Sequence, residues 1–345
     1  MATKRISYID MAKGIGIILV VFGHTSFPSR NLTDWINSFH MPLFFLLSGM
    51  LLSHNHATEQ SMSSFIRKKA KGILIPYLTF SVLSILFAAV LDSATFRTYL
   101  PNALTQSVVF YGISVLWFLP ALFFGEVIFL FIRKHTSLVV SALLSVGICL
   151  LTVFAAHTYH YNYVTDFGSY LSVLGAYLIA VIVRTGMAVT FLALGYFTQH
   201  LFFKKEHSKI LYGGLAVLFL ALNIFLAFKN ISVDLNNLVF GYYQLYFPAA
   251  FCGGMFVICL CAALPSWAPL TYIGKNSLII MATHMNCRFL GLCYAVGNLA
   301  LKILPFLGNI GYMLVVLATM AVLEAVTIYV INHYFPFLIG VKKSR

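Results

Sequence analysis

Acidic residues are nearly missing from this chain: Asp and Glu together number nine among 345 residues, and all charged residues make up only 9%. A soluble domain carries about 25% charged residues, so this composition cannot clothe a water-facing globular surface. Cysteine is also sparse. Cys149, Cys252, Cys259, Cys261, Cys287 and Cys293 all lie in apolar stretches, where a free thiol behaves as a small hydrophobe. Neither a disulfide framework nor a zinc site is expected. No low-complexity tract, clear internal repeat or soluble domain interrupts the sequence, so residues 1–345 read as one transmembrane unit. The first apolar run follows Lys4, Arg5 and Lys13, but it has no small-x-small cleavage site and a second long span comes at once. It reads as a retained transmembrane helix rather than a signal peptide.

What fills the chain instead is apolar: 61% hydrophobic residues with 32 Phe and 19 Tyr, at a mean hydropathy of +0.91. The fold class expected is an all-α, polytopic integral membrane bundle. A spanning helix needs about 20 mostly apolar residues. Candidate spans are 12–28, 36–53, 73–91, 108–132, 138–156, 209–228, 244–264, 276–296 and 309–334, while 169–203 could hold one helix or two.

Loop charge decides between one and two. With the N-terminus inside and one span in 169–203, the inside segments collect Lys4, Arg5, Lys13, Arg67, Lys68, Lys69, Lys71, Arg133, Lys134, Lys204, Lys205, Lys209, Lys275, Lys342, Lys343 and Arg345. Those are sixteen of the 22 basic residues. The bias of Lys and Arg toward cytoplasmic loops therefore favours about ten transmembrane helices with both termini cytoplasmic. The net charge of +13 serves this topology and contact with anionic lipid heads. Short basic clusters between apolar spans do not form a nucleic-acid surface, so no nucleic acid is expected as a partner.

Ionisable groups inside a membrane are costly and mark function by default. In the first span Lys13 and His24 are eleven positions apart, about three turns, and share a face at roughly 16 Å separation along the axis. Asp10 precedes Lys13 by three and can pair with it. The second span opens Phe39-His40-Met41-Pro42, and the short link puts His40 on the same side of the bilayer as His24. Two imidazoles beside one cavity suit proton transfer. No carboxylate or third His stands at ligand spacing, so no metal is expected. Arg67, Lys68, Lys69 and Lys71 precede Pro76-Tyr77. They serve as a topology signal and equally as a clamp for phosphates arriving from the cytoplasm.

Glu126 is an isolated carboxylate in an apolar span, open to a structural salt bridge or to tuning an imidazole. Trp117 and Phe118 read as packing or interfacial residues. Lys275-Asn276-Ser277 looks like a helix start, a capped and anion-attracting terminus. His284 and Arg288 follow on one helix face, with Glu324 as one candidate partner for Arg288.

Taken in order, these pieces resemble a known family: membrane-bound acyltransferase family 3, in particular its sugar O-acetyltransferase, or fucose 4-O-acetylase-like, branch. The resemblance rests on Tyr8-Ile9-Asp10 through Gly23-His24, on Phe39 to Phe45 with Ser48-Gly49, on the basic run into Pro76-Tyr77, on Trp117-Phe118-Leu119, and on Ile273 to Ser277 with His284. It implies ten-helix enzymes of the bacterial inner membrane that move an acyl group, usually acetyl from cytoplasmic acetyl-CoA, onto a carbohydrate hydroxyl. Members often carry Arg where this chain has Lys13, and arginines where its loop has mostly lysines. The resemblance implies that Arg67, Lys68, Lys69 and Lys71, with Lys13 and Lys275, hold the CoA phosphates. His24 would act as general base or become acylated, His40 would orient the acceptor or relay the proton, and Glu126 would adjust an imidazole. Asp10, Trp117, Asn276, Ser277, His284 and Arg288 complete the polar set, as substrate contacts or structural groups.

The competing reading is a proton-coupled transporter or flippase, which would also use buried His and Glu. The chain shows no paired broken helices in corresponding halves, and a carrier does not explain a cation cluster leading into a histidine stripe. The acceptor, the identity of the short acyl group and the oligomeric state stay open. A homodimer fits the sequence, as does a separate extracytoplasmic partner that receives the acyl group.

Overall fold

A computed structural model describes residues 6–91, 93–163, 170–205 and 207–341. Lys4, Arg5, Lys342, Lys343 and Arg345, which entered the loop-charge argument, lie outside the described residues. The chain is an all-α bundle. In order run α1 (Ser7–Gly23), α2 (Arg30–Asn37), α3 (His40–His54), α4 (Met62–Lys69), α5 (Ile75–Leu91), α6 (Ser93–Val108), α7 (Phe118–His135) and α8 (Leu138–Tyr163). They are followed by α9 (Tyr170–Thr198), α10 (Lys209–Lys229), α11 (Tyr243–Ala263), α12 (Ala268–Lys275), α13 (Ser277–Thr283), α14 (Phe289–Ile303) and α15 (Gly308–Tyr334). Ala70–Leu74 joins α4 to α5 as a π turn. Among the described residues the only β pairing is an isolated bridge between Asp234 and Val239.

Helix starts follow local chemistry. Ser29, Ser61 and Ser208 accept from the backbone N–H three residues on and so cap α2, α4 and α10, satisfying one of the free amides at each terminus. Pro42, Pro120 and Pro269 sit in first turns, where a missing N–H removes no helical bond.

Among the described residues eight helical stretches are long and apolar enough to cross a membrane, and the chain is an integral membrane protein. Residues 172–203 make one such stretch, not two. The helix of the first expected span is Ser7–Gly23, 17 residues long. The expected span 276–296 is not one helix. Its helix begins earlier, at Ala268 behind Pro269, kinks at Asn276 and ends at Thr283; Arg288 then adopts a left-handed conformation, φ 60°, before α14 starts. Asn276 does not cap: its amide donates to Tyr272 O at 2.9 Å and its carbonyl accepts from Asn332 at 2.9 Å.

The interior is built from α1, α3, α7, α9, α11 and the α12–α13 pair. α3 runs along α9, α1 along α12, and α10 along α11. α8, α10 and α15 lie outside and expose Leu150, Phe154, Val217, Phe225, Leu314 and Val322, the surface expected where lipid replaces water. Small residues set the closest approach. A Cβ on Gly274 would lie 1.7 Å from Asp10 O, and one on Gly14 would lie 2.4 Å from Leu270 O, so only glycine lets α1 and α12 touch along their backbones. That contact fixes α1, which carries His24, against the pair that leads to His284.

One end of the bundle gathers the basic residues. There Tyr8 stacks on Phe203 beside Lys204 and Lys205, Lys134 donates to Gln60 O, and Gly340 lies against the backbone of Lys71. The opposite end holds the C-terminus of α1, the start of α3, and the loops 109–117 and 230–242.

Candidate active site

Histidine chemistry is set by which ring nitrogen carries the proton. His24, at the C-cap of α1, places Nδ1 2.8 Å from Val20 O. His40 places Nδ1 2.9 Å from Ile36 O, and His284 places Nδ1 2.8 Å from Ile280 O. A carbonyl only accepts, so each Nδ1 is the donor and, in the neutral ring, each Nε2 keeps a lone pair. His24 Nδ1 also lies 3.3 Å from His284 Nε2, with ring centroids 5.1 Å apart. His284 therefore accepts a second, weaker share of the His24 proton and braces the ring from behind. His284 is 1% exposed. His24 is open to solvent, and its Nε2 is the unspent base of the pair.

His24 and His40 line one cavity of about 330 Å³ at the histidine end, together with Asn37, Ser114, Trp117, Asp234 and Asn236. A second cavity, about 160 Å³, reaches toward the basic end and is lined by Lys13, Ser48, Ile73 and Ser277. The two share Val20, Met41 and Met281 in their walls. The α1 stripe of Lys13, Val20 and His24 thus borders both, with a cation at one end and an imidazole at the other, as the eleven-residue spacing predicts.

Several expected residues stand elsewhere. Glu126 does not face an imidazole: it is 1% exposed and pairs with Lys69 at 2.6 Å. The same contact takes Lys69 out of the expected phosphate clamp. The physical reason is register: α4 runs antiparallel to α7, and the buried carboxylate needs the nearest cation. Arg67, Lys68, Lys71 and Lys275 are exposed at the basic end, and Asp10 is buried there beside Gly274. Glu324 is not seen with Arg288: both its oxygens lie within 3.0 Å of Thr283 Oγ1, while Arg288 is exposed at the turn after His284. Trp117 is 5% exposed, lines the histidine cavity and lies under the Arg184 guanidinium at 5.2 Å.

Two residues that the sequence did not single out complete the site. Asp234, between α10 and α11, is a carboxylate that lines the same cavity as His24 and His40. Arg184, 2% exposed, donates to Tyr111 O at 2.8 Å and to Asn236 O and Oδ1 at 2.5 and 3.0 Å. An arginine inside an apolar span was the available signal for the second. For the first, the signal was a rare acid in a short polar loop.

A bundle of membrane helices around a histidine-lined cavity, with a second cavity beside it that reaches a lysine, defines a polytopic membrane protein. A family model described as an acyltransferase domain, that of acyltransferase family 3, matches residues 6–340. The chain belongs to this family and is a membrane acyltransferase. None of the curated proteins and none of the solved structures compared with it matches.

Proposed function

We propose that the protein is an O-acetyltransferase that moves acetyl from cytoplasmic acetyl-CoA to a carbohydrate hydroxyl, with His24 as general base, in a bacterial inner membrane. The observation that carries this reading is the pair of adjoining cavities, with Lys13 at one end and the free Nε2 of His24 at the other. The excess of basic residues marks the Lys13 end as cytoplasmic. Exposed Arg67, Lys68, Lys71 and Lys275 meet the CoA phosphates there, and Lys13 meets the part of the donor that enters the bundle. The thioester then comes up between Val20, Met41 and Met281 toward His24.

His24 Nε2 takes the proton of the acceptor hydroxyl as its oxygen attacks the thioester carbonyl. The new C–O bond forms, the C–S bond breaks, and the CoA thiolate leaves toward the cytoplasm and takes a proton from water there. His24 gives its extra proton to water in the open cavity and is a base again. The imidazolium formed on the way is steadied by the Asp234 carboxylate and by the Val20 and Ile280 carbonyls behind the two rings. His40, buried on the same wall, directs its own Nε2 to the acceptor. The adjoining cavities let donor and acceptor meet at one point, so direct transfer accounts for the reaction without an acyl-histidine.

The test is thiol release from acetyl-CoA by purified protein in nanodiscs, with a pool of glycan acceptors, for wild type, His24→Ala and His24→Gln. Acceptor-stimulated release that both variants lose supports the reading. Folded wild-type protein that consumes no acyl-CoA with any acceptor refutes it and favours a transport function.

A further inference from the structure

The histidine end of the cavity is walled by two loops that arrive from distant parts of the chain, 109–117 and 230–242. Both are built rather than loose. In the second, Asp234 and Val239 exchange backbone bonds at 2.8 Å in each direction, and Asp234 accepts from Asn237 N at 3.2 Å and Asn237 Nδ2 at 2.7 Å. Its two ends are clamped by Asn230, whose Oδ1 accepts from Ile231 N and Tyr242 N and whose Nδ2 donates to Phe240 O. Val233, Leu235, Leu238 and Phe240 bury themselves in the bundle beneath it. Arg184 then ties the two loops together, with one nitrogen on Tyr111 O and another on Asn236, its Cζ 4.2 Å from the centre of the Tyr111 ring. A planar, always-charged guanidinium suits this bridging task, because its donors lie in a fixed fork.

The result is an open pocket whose rim offers amides, a hydroxyl and one carboxylate: Asn37, Asn236, Ser114 and Asp234. Its aromatic wall is Trp117. Among the described residues no Lys or Arg lines this cavity; Arg184, close by, donates to the backbone of the two loops. In a chain of net charge +13, a cavity wall that offers a carboxylate and, among the described residues, no Lys or Arg stands out. Amides and a carboxylate recognise hydroxyl and ammonium donors. A carboxylate in the pocket wall repels a second one bound beside it, since like charges that close are only partly screened.

Building on the O-acetyltransferase reading, we infer that Asp234, Asn236, Asn37 and Ser114 form the acceptor subsite, and that it takes a neutral or amino-bearing sugar while rejecting acidic sugars. Asp234 determines that choice, and Arg184 is a positioning residue that holds Asn236 and the 230–242 loop over the subsite. The subsite and His24 share one cavity, so a hydroxyl bound there meets the basic nitrogen directly.

The experiment measures acetyl-CoA thiol release by the full chain in nanodiscs with three soluble probes at matched concentrations: methyl glucoside, methyl glucosaminide and methyl glucuronide. The readout is the ratio of kcat/KM between glucoside and glucuronide, for wild type and Asp234→Asn. Because Asp234 also faces His24, a change in the chemical step scales all three probes alike and leaves the ratio untouched. Wild type should use the glucoside and glucosaminide and prefer them to the glucuronide by about tenfold or more. Asp234→Asn, which keeps an acceptor for Asn237 N, should shrink that preference to about threefold or less.

A wild type that uses the glucuronide as readily as the glucoside overturns the inference, and so does an Asp234→Asn ratio equal to that of wild type. Steady consumption of acetyl-CoA that no glycoside stimulates also overturns it, while leaving acyl-CoA chemistry intact. Absence of any acetyl-CoA consumption is a different result: it removes the O-acetyltransferase reading, and the subsite with it.

Discussion

Replacing His284 separates a brace from a base. The structure gives His24 Nδ1 two acceptors: Val20 O at 2.8 Å and His284 Nε2 at 3.3 Å. Val20 alone already fixes which nitrogen carries the proton, so His284 contributes aim and a share of one hydrogen bond. A neutral hydrogen bond of this kind contributes about 0.5–1.5 kcal/mol net, which corresponds to roughly a 2- to 12-fold change in rate. Removing the base itself should cost far more, about 10²–10⁴-fold. The variants to compare are His284→Gln, which can still present an acceptor to His24, and His284→Leu, which cannot. Both fill most of the buried volume.

Expected is a kcat for His284→Leu lowered within that modest range, an unchanged KM for acetyl-CoA, and recovery of most of the loss in His284→Gln. Acceptor-stimulated thiol release is the assay, with thermal unfolding in the same nanodiscs to confirm folding. If folded His284→Leu is as inactive as His24→Ala, or if Gln and Leu behave alike, then His284 does not brace His24 and the division of labour argued above is wrong.

Four further outcomes follow from the same geometry. Lys69→Met should lower stability by about 3 kcal/mol by leaving the buried Glu126 carboxylate without its partner, whereas Lys69→Met with Glu126→Leu should regain most of that; thermal unfolding of the single and double variants reads this. Gly274→Ala should lower both stability and activity, since its Cβ would lie 1.7 Å from Asp10 O and force α1 away from α12. Lys13→Ala should raise the KM for acetyl-CoA by about three- to tenfold with a smaller effect on the acceptor KM, and Lys13→Arg should retain most of the affinity. Combined neutralisation of Arg67, Lys68 and Lys71 should weaken acetyl-CoA binding more at low salt than at high salt, because exposed charges are screened; titration at two ionic strengths checks it.

The sequence by itself determined the class of molecule and one line of its chemistry. Nine acids in 345 residues leave no way to face water, so a membrane protein follows from solvation, and the apolar runs of about 20 residues make it an all-α bundle. The Lys13–His24 stripe was equally legible, because helical periodicity ties positions eleven apart to one face whatever surrounds them. The short link to α3 brought His40 to the same end for a similarly local reason.

Tertiary packing decided what each remaining charge does. Glu126 was open to a salt bridge or to an imidazole, and the antiparallel run of α4 beside α7 delivers Lys69 to it. No motif in the sequence marks Asp234, yet Arg184 and the buried Leu235 and Leu238 hold its loop over the cavity that the histidines line. His284 became a partner of His24 only because Gly14 and Gly274 let two backbones touch. In a low-dielectric bundle a charge takes its role from the nearest compensating group. Residues far apart in sequence become nearest neighbours only through helix order and register, and no spacing along the chain encodes those.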